Sequence, residues 1–475
     1  MAPKATSNGI GLNKFLLQAD ILAKSIGLIP YDEENDKRSV RYEKLMKFIF
    51  ILNMVNMNFV LFSEIMYVLL AMKNGNNFVE ATMNLSYIGF VFVGDIKIIS
   101  VLRKKPVLTI LMKEIEDIYP KDGRAQKAYQ VREYVWRFNL ISLGFVIVHE
   151  ILIWFYNLYI AVSYLIYEWW LQWRVVPRTL PYYFWVPWQW QGHWSYYVLY
   201  VSQNFAGHTC MSGQLANDLL LCVAATQIIM HFEFLAKRLR EYRPTGRHVD
   251  DLKFLREHIK YHQAVIHLSA LMNEVFGVSL LVNFISSSFV MCFLGFQMTI
   301  GVEADTLVML FMFLFCSLVQ ILMICNYGQQ LIIKSEEIGH AVYSQEWLNS
   351  DLRYRKMLIG IIARSQKPVI LRATTFLNVS RSTMTEQLVY ENSLDHQLLY
   401  EDSLDHQAVH KDSLDPQFIY EDSLGHQLMY EDFLDHQLVY EDFLDVQLTY
   451  EGYLPRRLPA ARVRLLKRPE SPDRL

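Results

Sequence analysis

The sequence predicts an all-α, polytopic membrane helix bundle with six recognisable spans and a cytoplasmic N-terminus, followed by a low-complexity tail of ten-residue repeats. Three observations predict it. The 475 residues are 52% hydrophobic and 14% aromatic, with a mean hydropathy of +0.13, too apolar for an ordinary soluble chain. Six apolar runs are each long enough to cross a bilayer core of about 30 Å at about 1.5 Å rise per residue. Finally, the basic residues alternate between the ends of the runs. Segments 103–137, 231–273 and 333–372 carry nine, eight and seven Lys and Arg, whereas 72–78, 161–195 and 301–305 carry one, two and none. Basic loops stay in the cytoplasm, which places the N-terminus there.

Residues 1–44 are polar and basic, and the six-span bundle is expected over 45–332. The first span is Leu45–Ala71. The second is Val79–Leu102, with Asp95 and Lys97 close enough to its inner end to snorkel toward water. The basic stretch Arg103–Arg137 follows, with a turn marked by Pro and Gly in IYPKDGR. The third span is Phe138–Ile160. In the aromatic loop Ala161–Trp194, Pro177, Pro181 and Pro187 preclude a long regular helix. The fourth span, Tyr196–Met230, is long and starts semi-polar, as a tilted helix projecting past the membrane would. His231–Asn273 reads as its charged helical extension, broken at Pro244-Thr245-Gly246. There Leu252, Leu255, Ile259, His262 and Ile266 recur at helical spacing, so His262 is expected to pack rather than bind a ligand. The fifth span is Val275–Ile300, and the sixth opens with the run Leu307–Cys325.

No enzyme motif is present: GxSxG, HExxH, a Walker loop and GxGxxG are all missing. The chain is therefore not expected to be an enzyme. Cys222, Cys292, Cys316 and Cys325 sit in apolar runs and Cys210 in a more polar stretch, with no CxxC pair, so no metal, disulfide framework or cofactor is expected. The basic residues of the body are spread over separate loops without a nucleic-acid-binding pattern, which excludes nucleic acid as the expected partner. The lipid bilayer is the expected surrounding. Residues 1–20 contain no apolar stretch before a small-residue cleavage site, so the first span is expected to direct insertion. His149, Glu150 and Asp218 lie inside spans and are expected to make structural polar contacts.

After the sixth run comes a charged amphipathic segment, 333–385. Its order is a polar membrane exit at Ser335 and Glu336, then Tyr343 and Trp347, a basic helix, and Arg364-Ser365-Gln366-Lys367-Pro368. These residue types in this order resemble the C-terminal region of insect odorant receptors, seven-span subunits of odour-gated cation channels. The aromatic loop LPYYFWVPWQWQGHW and the span opening YYVLYVSQNF are similar to the family's second outer loop and fourth helix. The resemblance implies a pocket for a small volatile ligand among the outer halves of spans two to six. On this chain those halves hold Met83 and Tyr87; His149, Ile153 and Tyr156; Tyr200 and Asn204; Phe296; and Met309 and Phe313. It also implies a hetero-oligomer, a tetramer with a shared co-receptor, joined through the segment holding Tyr343, Trp347, Lys356, Arg364 and Lys367. The implied location is the plasma membrane of olfactory sensory neurons.

The likeness stops at Leu388. Residues 386–455 are seven copies of a decapeptide, with 17 acidic residues against one basic, and 456–475 form a basic tail. A ten-residue period would rotate a helical stripe by about 80° per copy, and the high negative charge points to disorder. The family's last, pore-lining span is expected at this point, and the repeat stands in its place. Three readings are therefore open: a ligand-binding channel subunit; a receptor truncated by the repeat, or given a wrong tail by its gene model, that does not signal and stays in the endoplasmic reticulum; and a small-solute transporter. Against the last stands the lack of an inverted repeat or broken-helix pair.

Overall fold

The first helix, α1 (Asn13–Ser25), lies in the segment expected to be a polar lead-in, yet it buries Phe15, Leu16, Ala19, Leu22 and Ala23. The apolar residues recur every three or four positions, and that stripe seats α1 on the inner half of the bundle, with Phe15 against Phe138 at 5.7 Å between ring centroids. This is a computed structural model, and it describes residues 9–32, 39–74, 78–245, 248–299, 304–348, 350–374 and 377–383. The expectations for the repeats and the basic tail lie outside the described residues.

The spans follow as α2 (Val40–Asn74), α3 (Phe78–Arg103), α6 (Val131–Ser163), α7 (Ser195–Glu241), α8 (His248–Thr299) and α9 (Ala304–Tyr343), with the short helices α4 (Lys105–Ile118) and α5 (Gly123–Ala128) between the second and third spans. A π-helical turn, Tyr164–Trp170, extends α6. Among the described residues six helices are long and apolar enough to cross a membrane, the number expected. The helices run further than the apolar runs, because the charged stretches beyond them stay helical once they are packed. Thus the stretch read as an extension of the fourth span divides at Tyr242–Thr245. Its second half belongs to α8, which continues into the fifth span without a break.

Helix α7 is the axis. The apolar part of α7 is 89% buried, against 22% for α2, and α7 packs on α1, α2, α3, α6, α8 and α9. On α2, by contrast, Leu45, Phe48, Leu52, Val55, Phe59 and Phe62 are exposed at helical spacing, a stripe that faces lipid. Close approach of α3 to α7 needs Gly94, where a Cβ would stand 2.7 Å from Cys210 Sγ.

Helix α10 (Leu352–Ser365) and a two-stranded antiparallel hairpin, β1 (Leu371–Ala373) and β2 (Leu377–Val379), close the inner end. The hairpin corrects the all-α expectation in this small respect. It is stitched to α8 by Asn273, whose Nδ2 donates to Ile370 O at 2.9 Å while its Oδ1 accepts from Arg372 N at 3.0 Å. Against α9 its backbone comes so near that a Cβ on Gly328 would collide with Val379 O.

Candidate functional site

The outer half of the bundle holds a cavity. Its walls come from α2 (Met57, Val60, Glu64), α3 (Ser86, Tyr87, Phe90, Val91), α6 (Leu152, Ile153, Tyr156), α7 (Ala206, Gly207, Cys210, Met211) and α9 (Leu310, Phe313), and Tyr182 of the aromatic loop joins them. Here α7 presents small residues, Ala206 and Gly207, and a Cβ on Gly207 would stand 3.2 Å from Tyr182 Oη, so the glycine lets the tyrosine pack close to the helix. About 50 Å³ is open to the centres of water-sized spheres. A single water needs roughly 10–15 Å³ on that measure, so a molecule of a few heavy atoms fits with no rearrangement. The lining is aliphatic and aromatic with a few polar atoms, the make-up of small-molecule sites.

Three tyrosines form one wall. Tyr87, Tyr156 and Tyr182 pack with ring centroids 5.3–5.4 Å apart. Tyr156 Oη donates to Tyr87 Oη at 2.5 Å, and Tyr182 Oη donates to Asn157 Oδ1 at 2.8 Å.

The aromatic loop is pinned here by side chains of α3 and α7 and by the backbone of α2. Gln203 brackets Tyr182, accepting from its N–H at 3.2 Å and donating to its carbonyl at 3.3 Å. Asn84 Nδ2 is shared between Glu64 O and Tyr183 O, each at 3.2 Å. Trp185 N donates to Ser63 O at 3.3 Å. The loop thereby roofs the cavity with Tyr182, and its three prolines keep it from winding into a long regular helix.

Of the residues expected in a pocket, the structure brings Tyr87, Ile153, Tyr156 and Phe313 together on this cavity. His149 lines a smaller polar chamber beneath it, which shares Phe90, Leu152, Met211 and Phe313 with the cavity above. Tyr200 and Asn204 line neither chamber: Tyr200 Oη donates to Asn157 O, and Asn204 Nδ2 to Tyr200 O, both at 2.7 Å. The side chains of Met83, Phe296 and Met309 lie outside the described residues. Sequence reasoning passed over α2 entirely, although Glu64, a carboxyl inside an apolar run, was a signal for a functional position. Tyr182 was missed because nothing in a loop's composition says that it folds inward.

Comparison with known proteins bears on what such a bundle is. A family model described as 7tm Odorant receptor matches residues 77–387, ending inside the first decapeptide copy. The chain belongs to the odorant receptor family. Odorant receptor 85c of Drosophila melanogaster is 41% identical over 375 residues, covering 79% of this chain and 96% of that protein. Odorant receptor 85b of the same fly is 41% identical over 377 residues, with the same coverage of 79% and 96%. In fold, the chain is similar to the insect olfactory receptor OR5 from Machilis hrabei in complex with eugenol, with a TM-score of 0.70 at 15% identity over 82% of this chain and 98% of that one. The family is one of membrane receptors rather than enzymes.

Below the two chambers the receptor carries a charged layer in its interior. Lys97 of α3 does not snorkel. Its Nζ, fully buried, lies 3.0 and 2.9 Å from the two carboxylate oxygens of Asp218 on α7, and Gln320 Nε2 of α9 donates to the same carboxylate at 2.5 Å. Glu150 and His149 do face different ways: Glu150 accepts from Trp154 Nε1 at 3.0 Å, while His149 Nδ1 lies 2.8 Å from Phe145 O.

At the receptor's inner end, the motif residues have structural partners. Ser335 Oγ accepts from Val369 N at 2.9 Å, and Gln345 links Leu239 O (2.6 Å) to Tyr354 Oη (2.8 Å), tying α7, α9 and α10 together. Burial raises the Tyr354 phenol above its ordinary range, with the Asp251 carboxylate adding to it. Tyr343, Lys356 and Lys367 are exposed. Trp347 is half-buried, its Nε1 donating to Tyr343 O at 3.2 Å, and Arg364 Nη1 donates to Lys367 O at 2.6 Å.

Proposed function

We propose that this odorant receptor binds small, mainly apolar volatile molecules in the roofed cavity and acts with a co-receptor, in a tetrameric hetero-oligomer, as a ligand-gated cation channel of the olfactory neuron's plasma membrane. The observation that carries the reading is the cavity itself: an apolar, aromatic space with Tyr182 of a hydrogen-bonded loop in its wall. Burial of apolar surface, about 25 cal/mol per Å², supplies affinity for such ligands. A ligand opens a channel only by binding the open form more tightly than the closed one. The walls come from five helices and the loop, so expansion of the cavity would shift helix positions and give that difference.

A partner surface is supported at the inner end. Leu352, Lys356 and Ile359 share one exposed face of α10, beside exposed Tyr343 and Leu348, and apolar groups grouped on a surface mark interaction sites. The test is expression in a non-neuronal cell with and without a co-receptor, recording current against a panel of volatiles. Odour-evoked current that requires both chains supports the reading. A chain confined to internal membranes, or uptake of solute without the co-receptor, contradicts it.

A further inference from the structure

Resting on the cavity as the ligand site, a further inference concerns the chemistry of its polar groups. Glu64 and Ser86 lie on the neighbouring helices α2 and α3 and are 1% and 2% exposed. Both line the cavity, and neither Glu64 Oε2 nor Ser86 Oγ has a hydrogen-bond partner among the described residues. Of the phenols on the same walls, Tyr156 donates to Tyr87 and Tyr182 donates to Asn157. Cys210, too, points its thiol at Phe90 O, 3.6 Å away. Glu64 and Ser86 thus carry unpaired polar atoms on an otherwise largely apolar lining, and Asn84 holds the backbone of Glu64 in place.

Leaving a buried polar atom unpaired costs about 1–3 kcal/mol, so an occupant that pairs with both is favoured over one that pairs with neither. An ionised carboxyl oxygen only accepts, a protonated carboxyl also offers an O–H, and a serine hydroxyl does both. An alcohol oxygen meets both at once, donating its proton to Glu64 and accepting from Ser86. A carbonyl oxygen only accepts, and a hydrocarbon does neither.

We propose that Glu64 and Ser86 are the polar anchor of the cavity and select volatile molecules with a hydroxyl head on a small apolar body. The probes are hexan-1-ol, hexanal and hexane, which differ in the head alone. Concentration–response curves are recorded with the full chain and its co-receptor, with surface labelling of every variant. The native chain is expected to respond to hexan-1-ol at roughly tenfold lower concentration than to hexanal, one hydrogen bond's worth, and least to hexane. Glu64→Leu is expected to remove the preference for the alcohol. Glu64→Gln, which keeps an accepting oxygen, is expected to retain part of it, and Ser86→Ala to weaken it without reversing it.

An alcohol-to-aldehyde ratio unchanged in Glu64→Gln, Glu64→Leu and Ser86→Ala would overturn the proposal and leave the pair as a water-bound structural contact only. Ala206→Trp, which fills the cavity, separates this from failure of the underlying reading. If Ala206→Trp abolishes odour responses but the Glu64 variants leave the ratio unchanged, the anchor alone is wrong. If Ala206→Trp reaches the surface and responds normally, the cavity is not the ligand site and the anchor falls with it.

Discussion

The outer cavity and the charged layer beneath it both bury polar side chains inside an apolar bundle, but they treat them in opposite ways. Lys97, Asp218 and Gln320 satisfy one another across α3, α7 and α9. Glu64 and Ser86, nearer the outside, leave polar atoms without partners among the described residues, beside a space. The closed network holds three helices in register, since in a membrane an unpaired charge has no water to turn to. The open pair has kept its hydrogen-bonding capacity for whatever enters. A buried polar group in a span is functional or structural according to what remains unsatisfied around it, which a sequence does not display.

The largest effect that would sharpen this contrast is expected at the charged layer. Asp218→Leu leaves Lys97 buried with no counter-charge and should cost about 3–5 kcal/mol, read as loss of folded receptor in detergent by fluorescence-detected size exclusion. Asp218→Leu combined with Lys97→Met should recover most of that loss. A single variant as stable as the parent would break the comparison at its firmer end.

Next in size is the packing of the hairpin on α9. With Val379 O already filling the place a Cβ on Gly328 would take, Gly328→Ala must displace β2, and overpacking of this kind costs about 1–3 kcal/mol. The melting temperature of the purified receptor should fall, while the cavity, at the far end of α9, keeps its odour selectivity. A change of selectivity would show that the two ends are coupled.

A smaller effect is expected at the roof. Gln203→Ala removes both hydrogen bonds to Tyr182, each worth about 0.5–1.5 kcal/mol net. Amide exchange over residues 180–186 should quicken severalfold, while the buried middle of α7 stays protected. Unchanged exchange in the loop would mean that its ring contacts, not Gln203, hold it down.

Smallest of all, Tyr156→Phe deletes the hydroxyl that donates to Tyr87 but keeps the ring. It should shift odour sensitivity by less than about tenfold, measured as the half-maximal concentration. A complete loss of response would make Tyr156 a direct polar contact rather than part of a packed wall.

Much of the fold could be read from the residues, because bilayer thickness and the placement of basic loops constrain an apolar chain strongly. Span number followed from length and hydropathy alone. The burial of α1 did not, since Phe15, Ala19 and Leu22 look like an ordinary amphipathic stripe until α7 is there to receive them. Lys97 was read as snorkelling because its partner, Asp218, lies 121 residues away, and no local pattern joins them. In the cavity, Tyr87, Ile153, Tyr156 and Phe313 were legible through family likeness and helix position. Gly207 and Ala206 were not, because small residues carry no chemistry of their own. Glu64 was visible as a carboxyl in an apolar run, but that its Oε2 has no partner among the described residues is a fact of three dimensions.

The central claim is that odorants occupy the roofed cavity among α2, α3, α6, α7 and α9. The most direct test is a cryo-electron microscopy structure of the receptor with its co-receptor, determined with and without a saturating odorant that evokes current. New density is expected to touch Tyr87, Tyr156 and Phe313, with the ligand's polar head toward Glu64. Density at another place, with this cavity unchanged between the two structures, would contradict it.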